Sequence, residues 1–521
     1  MRSWPVSPRT WRKVTMPEGL RPVIVSVEDE PASSWFSRSW PAVLMVAAVL
    51  IGLALSTLAG SAPTLPPAPT PAPWPGTVST VMPAANALTS RRALLILLPG
   101  ARPDYLHTYI TDGTMHNLAL LAAGGVVPEY VTPVEPAVTN LNLECLVRGS
   151  RPRLSGLFSG AELPALFTAP AVWAWDGQSG PADAVLFWPD TEPDGAGADI
   201  FVTLADGSSA VERPDAQPLH TSPAGLALAL TDALGQPPAL PSPSASGGDF
   251  VERLYRRLDW QARAAAWVWS SDSPRTMVIV FDALALAAEA GLLHGEDAYD
   301  PLTRAVYHRL DGALGTLFSV VDMARTATAV GTTNGLLSYQ RVLNLEAVLR
   351  DGAPAVPPDA VRIVTAGGTA FLSIHLPADS APAVQTAYVE GVQKALEGAA
   401  AGDQPALRRV AAGDAARQMG WADAGAGDFW VQAAPGVVLR AGDPSGEHRA
   451  WWEEAGVADG YASDLPEMRG FFVLAGPGIT PYGLVGPISL LDIAPTLGAL
   501  LQMPIPDSVQ GRPLREWMNA N

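Results

Sequence analysis

RRALLILLPGARPDYL, Arg91–Leu106, holds a continuous apolar run, Ala93–Leu98, that stops at Pro99 and Gly100. An apolar run of this length bounded by turn residues reads as a strand buried on both faces, ending in a tight turn. Comparable runs recur down the chain. TMVIVF (276–281), TATAVGT (326–332) and GFFVLAG (470–476) read as further strands, while MHNLALLAAGG (115–125) and LLDIAPTLGALLQ (490–502) read as helices. Strands alternating with helices imply an α/β fold with a mostly parallel sheet and helices on both faces. In such sheets ligands gather beyond the carboxyl ends of the strands, so the residues just after each strand carry most of the functional information.

The chain has 521 residues, 48% of them hydrophobic, enough for one large domain or two ordinary ones. Its net charge of -18 gives no basic face for gripping nucleic acid, which excludes that class of partner. Cys145 is the single cysteine, so neither an intrachain disulfide nor a cysteine metal cluster is expected, and a buried thiol is.

PAVLMVAAVLIGLALSTLA, 41–59, carries no charge and is long enough to cross a hydrocarbon core of about 30 Å as a helix. Small residues at 59–62 would suit a signal peptidase, but the forty residues before the span are far longer than an ordinary n-region, which favours an uncleaved anchor. Arg2, Arg9, Arg12, Lys13, Arg21 and Arg38 precede the span and no basic residue follows it until Arg91. Positive residues stay inside, so residues 1–40 are expected as a cytoplasmic tail, 41–60 as a single transmembrane helix, and the rest as extracytoplasmic. Residues 61–90 are proline-rich at their start and read as an extended linker, with residues 91–521 forming the domain. Residues 234–249 read as a flexible surface loop, and 351–450 as weakly patterned insertion.

The ordered landmarks of residues 91–515 resemble the type I phosphodiesterase/nucleotide pyrophosphatase family of the alkaline phosphatase superfamily. Gly100, Arg102, Pro103 and Asp104 match its strand-one turn; Asn117, Leu118, Leu121, Ala122 and Gly125 match the helix that follows. TPVEPAVTNLN (132–142) resembles its nucleophile segment, LFWPD (186–190) its Trp-Pro element, and RVLNLEAVLRDG (341–352) the helix after its metal turn. MRGFFVLAGPGI (468–479) and the residues from Ser489 to Leu514 resemble its closing strand and helix. The resemblance implies an alkaline-phosphatase-like sheet and hydrolysis of phosphate esters by two divalent ions of the zinc type, with a Thr or Ser nucleophile.

Carried over residue by residue, the nucleophile falls on Thr139, followed at the family's spacing by Asn142, a candidate ligand-binding amide. The metal-ligand positions, besides Thr139, fall on Pro99, Ala288, Leu292, Thr333, Asn334 and Asp459. Each of those six has lost the family's residue, and Pro99, Ala288 and Leu292 offer no donor at all. Asp282, directly after a strand, and His294 are the nearest substitutes, although a loop-capping role is the favoured reading of Asp282. A helix cap or turn residue is likewise the favoured reading of Thr139, and Asn142 could bond its own loop. His448 reads as an exposed loop residue. The expectation is therefore a non-catalytic binder of a phosphorylated small molecule or cell-envelope component, with no resident cofactor. A hydrolase with a rewired metal site and Thr139 as nucleophile is the alternative.

Overall fold

The structure, a computed structural model, describes residues 92–519 apart from 160–161, 177–181, 190–196, 205–218, 240–246, 294–297 and 376–379. The expected tail, transmembrane span and linker lie outside the described residues, as does His294. Among the described residues no helix is long and apolar enough to cross a membrane.

Nine strands form the central sheet: β1 (Arg92–Leu97), β2 (Gly125–Pro128), β3 (Asp183–Leu186), β4 (Ile200–Leu204), β5 (Leu219–Ser222), β6 (Thr276–Val280), β7 (Thr326–Gly331), β8 (Phe472–Ala475) and β9 (Gly483–Val485). Their spatial order is β9-β2-β8-β7-β1-β6-β3-β4-β5. The five-strand centre from β7 to β4 is parallel throughout, while β8 and β5 run the other way. The mostly parallel α/β sheet expected from the strand runs is what forms.

The reason is visible in β1, whose side chains are split between two cores. Leu94, Ile96 and Leu98 face a layer with the helices Pro103–Thr111, His116–Ala123, Gly247–Asp272 and Pro301–Phe318. Ala93, Leu95 and Leu97 face the helices Thr139–Arg148 and Ile493–Leu500. Each of these six residues is fully buried, so an alternating polar pattern would have been fatal here. Cys145 is buried in the second layer.

Between β7 and β8 the chain leaves the sheet and builds two smaller ones of three or more strands, besides the short pair Ala400–Ala401 and Gln404–Pro405. Val361–Ala366, Thr369–Ile374, Asp428–Ala433 and Leu407–Ala412 form a four-stranded antiparallel sheet. Leu337–Asn344 lies between Gly436–Arg440 and Trp451–Ala458 in a three-stranded sheet. A core of its own, including Leu343, Leu372, Val392, Leu396, Phe429 and Val431, makes this region ordered and layered. The weak sequence pattern at 351–450 thus hides real structure. Within RVLNLEAVLRDG only Leu345–Gly352 is helix, because the first residues finish a strand and Asn344 caps the helix, accepting from the Ala347 N–H at 3.3 Å. The supposed loop 234–249 likewise ends early, since a long helix starts at Gly247.

Candidate functional site

Parallel pairing fixes what meets at the carboxyl end of β1. Leu97 pairs with Gly331 of β7 on one side and Val280 of β6 on the other. Leu98 N–H donates to Gly331 O at 2.9 Å and Phe281 N–H to Leu97 O at 2.9 Å, so the registers continue past the strands. Buried Pro99 opens the turn after β1, and Thr333 and Asp282 follow the ends of the two neighbouring strands. Gly100 has φ of +80°, and a side chain there would meet the Ala285 backbone at 3.2 Å and Leu336 at 3.3 Å. Glycine is required by both conformation and space.

Thr139 is the first residue of the helix Thr139–Arg148, and Val138 before it supplies no side-chain cap. The cap comes from far away. Thr139 N–H donates to Asp459 Oδ2 at 2.6 Å, and Asn334 Nδ2 donates to Thr139 Oγ1 at 3.2 Å. Asn334 Nδ2 also donates to Gly335 O at 3.1 Å, and only an NH₂ can do so, which fixes the orientation of the amide. Three residues 195 and 320 positions apart thus converge on one hydroxyl and its N–H. Thr333 and Asn334 are 1% and 0% exposed, yet Thr333 Oγ1 and Asn334 Oδ1 have no hydrogen-bond partner. Desolvation raises the Asp459 carboxyl above the ordinary carboxylate range, opposed by hydrogen bonds from the Thr139 hydroxyl and N–H.

Asn142 does not face a ligand. Its Oδ1 accepts from Val134 N–H at 2.7 Å, and its Nδ2 lies within bonding distance of the carbonyls of Val134, Pro136 and Val138, at 3.0, 2.8 and 3.1 Å. Fully buried and with both amide hydrogens committed, it shapes the turn that delivers Thr139. Glu135, the one charged residue in TPVEPAVTN and not singled out by any motif, braces the same turn. Its carboxylate accepts from Ser463 N–H and Oγ at 2.7 and 2.8 Å and from Gln432 Nε2 at 2.9 Å.

Asp282 and two of the carried-over positions are engaged away from Thr139. Asp282 precedes the helix Ala283–Glu289 without capping it through its side chain; it pairs with Arg257 at 3.1 Å and accepts from Gln261 at 3.2 Å. Ala288 and Leu292 sit in the apolar layer, and it is the Ala285 backbone that approaches the strand-one turn. His448 is exposed, as expected. Arg102 pairs with Asp104 at 2.7 Å.

Two divalent ions need several carboxylate or imidazole donors apiece to offset dehydration. The cluster offers one carboxylate, two hydroxyls and a carboxamide, and among the described residues no group of three or more His, Cys, Asp or Glu is placed to hold a metal. The donor set does not fit a dinuclear centre.

The sequence profile of the type I phosphodiesterase / nucleotide pyrophosphatase family matches residues 93–461. No curated protein matches the chain by sequence. Among solved structures, murine ectonucleotide pyrophosphatase/phosphodiesterase 5 superposes with a TM-score of 0.53 at 17% identity, and the human protein of that name with 0.54 at 16%. An inactive variant of the murine protein in complex with AMP gives 0.52 at 16%. Each alignment covers 82% of this chain and 100% of the other. At these identities the likeness establishes the fold.

Proposed function

Since the chain belongs to the type I phosphodiesterase/nucleotide pyrophosphatase family, we propose that it is a member without dinuclear hydrolysis. On this reading it keeps the strand-end cleft to bind a phosphorylated small molecule or envelope component, held at a membrane by residues 41–60. The observation that supports the reading is the Thr139–Asn334–Asp459 cluster, which keeps the position of the nucleophile and surrounds it with neutral oxygens and one carboxylate. Phosphoryl transfer spreads negative charge over the transferring oxygens, and most of the catalysis consists of neutralising it. A carboxylate set against the hydroxyl does the reverse. Among the described residues no imidazole is hydrogen-bonded to Thr139; its hydroxyl faces the carboxyl of Asp459 instead. Ground-state binding is less demanding: a hydroxyl and backbone N–H groups at a helix start hold an anion without stabilising its reaction.

Metal analysis and turnover test the reading together. The full chain, purified in detergent, should contain no stoichiometric zinc or manganese and should hydrolyse an activated phosphodiester no faster than its Thr139→Ala variant. AMP, the ligand named for the murine complex, should raise the melting temperature without being consumed. Metal-dependent turnover that disappears in Thr139→Ala would overturn the proposal and establish the rewired hydrolase.

A further inference from the structure

The helix Thr139–Arg148 has an unusual start. Its preceding residue, Val138, has no polar side chain, and the first N–H is taken by a carboxylate 320 residues away, at 2.6 Å. A helix N-terminus favours an anion there, and in most helices a local Ser, Thr, Asp or Asn provides it. Asp459 is held in place from behind. Its carbonyl accepts from Gly368 N–H at 2.7 Å, and Gly460 N–H donates to Ala137 O at 2.9 Å. A side chain on Gly367 would come within 2.2 Å of that Asp459 carbonyl, so only glycine permits the approach. The peptide that follows Asp459 is thus held on one face by Gly368 and on the other by Ala137, in the turn that carries Thr139.

Around this contact the cluster keeps unspent capacity. Thr333 Oγ1 and Asn334 Oδ1 are buried without partners, beside the amide that binds Thr139. Buried polar atoms left this way cost stability unless something else engages them. The cluster therefore has acceptors left for another molecule, while the first N–H of the helix is already engaged.

We infer that Asp459 is an internal anion, occupying the place at the Thr139 N–H where an oxygen of an incoming phosphoryl group would sit. The inference rests on reading this cleft as a site for phosphorylated ligands, and adds how that site is regulated. The Asp459 carboxyl opposes binding by filling the hydrogen-bond position, and in its ionised form its charge also repels a second anion at short range. A ligand enters by displacing Asp459 from Thr139, so the resting protein binds phosphate weakly, and any change that draws Asp459 away opens the site.

The test is a gain of binding. Asp459→Asn keeps an oxygen that can accept from Thr139 N–H, so the helix start remains capped while the charge is removed. Asp459→Ala frees the N–H altogether, and Glu397→Gln removes one charge from an exposed helix position as a control. Calorimetric titration of the full-length proteins with inorganic phosphate and with AMP, at one neutral pH, should give Asp459→Asn an affinity at least about tenfold above wild type. Glu397→Gln should match wild type, and circular dichroism should verify that each variant is folded. Equal or weaker binding by folded Asp459→Asn, with wild type binding already, would overturn the internal anion and leave the cleft as a ligand site. Binding by the variant alone would support the internal anion and remove the proposal that the wild-type cleft is a working site. Binding by neither folded protein would overturn both.

Discussion

Asp183, the first residue of β3, is 2% exposed, at the amino end of the sheet and away from the Thr139 cluster. Its Oδ1 accepts from Thr276 N–H at 3.1 Å, and its own N–H donates to Asp199 Oδ2 at 3.0 Å. Burial pushes its carboxyl up to about 7 from 3.8; the charges of Asp176 and Asp199 add to the rise, and hydrogen bonds from Thr276 oppose it. Asp176 is itself tied to Arg275 at 2.5 Å. A carboxyl that holds its proton more tightly when folded contributes most below the unfolded value, and that contribution is lost as pH rises toward the folded value. Between about pH 4 and 7 the folded chain binds the extra proton, so stability falls with a slope of up to about 1.4 kcal/mol per pH unit from this group. Asp183→Asn should remove that slope. Thermal unfolding across the window should show the variant gaining on wild type as pH rises, and parallel curves would refute the assignment.

At the scale of elements, two helix starts explain why the site was only partly legible in the sequence. His116–Ala123 has Met115 at its cap position, and its first N–H groups are met by Asp311, which accepts from Asn117 and Leu118 N–H at 2.9 and 3.0 Å. Thr139–Arg148 is met by Asp459 in the same manner. Local capping rules place Thr139 as a cap and leave Asp459 unconnected, because they look only a few residues ahead. The ordered family landmarks did bring Thr139, Asn334 and Asp459 onto one list. They could not show that Asn142 turns inward or that Glu135 joins the turn to the inserted sheets. Since Glu135 accepts three hydrogen bonds from Gln432 and Ser463, Glu135→Ala should cost roughly 1–3 kcal/mol. The loss should be local as well as global. Hydrogen exchange should speed up first in residues 137–142 and 428–433, and uniform acceleration across the central sheet would count against this bracing role.

For the whole molecule, what was legible depended on how completely each strand is buried. The central strands β1, β6 and β7 lie between two cores, so their sequences are nearly pure apolar runs and reveal themselves. Strands of the inserted sheets such as Trp451–Ala458 mix exposed and only partly buried positions, and the pattern fades. The candidate site sits where the two kinds of structure meet, with Thr139 delivered by the main layers and Asp459 at the end of the insertion. The setting of the domain is a separate question, argued from charge. The uncharged stretch 41–59 follows six basic residues and precedes a long interval without any, an asymmetry that orients a span with its amino-terminal tail in the cytoplasm. On the proposed topology a phosphorylated ligand would reach the cleft from outside the cytoplasm, and the acidic domain would be repelled by an anionic membrane surface rather than lie on it. Protease added to intact cells or spheroplasts should therefore digest the chain beyond residue 61 and leave a tail-containing fragment protected. A domain recovered whole in the cytosolic fraction, and inaccessible until the cells are opened, would rule out the anchored extracytoplasmic arrangement.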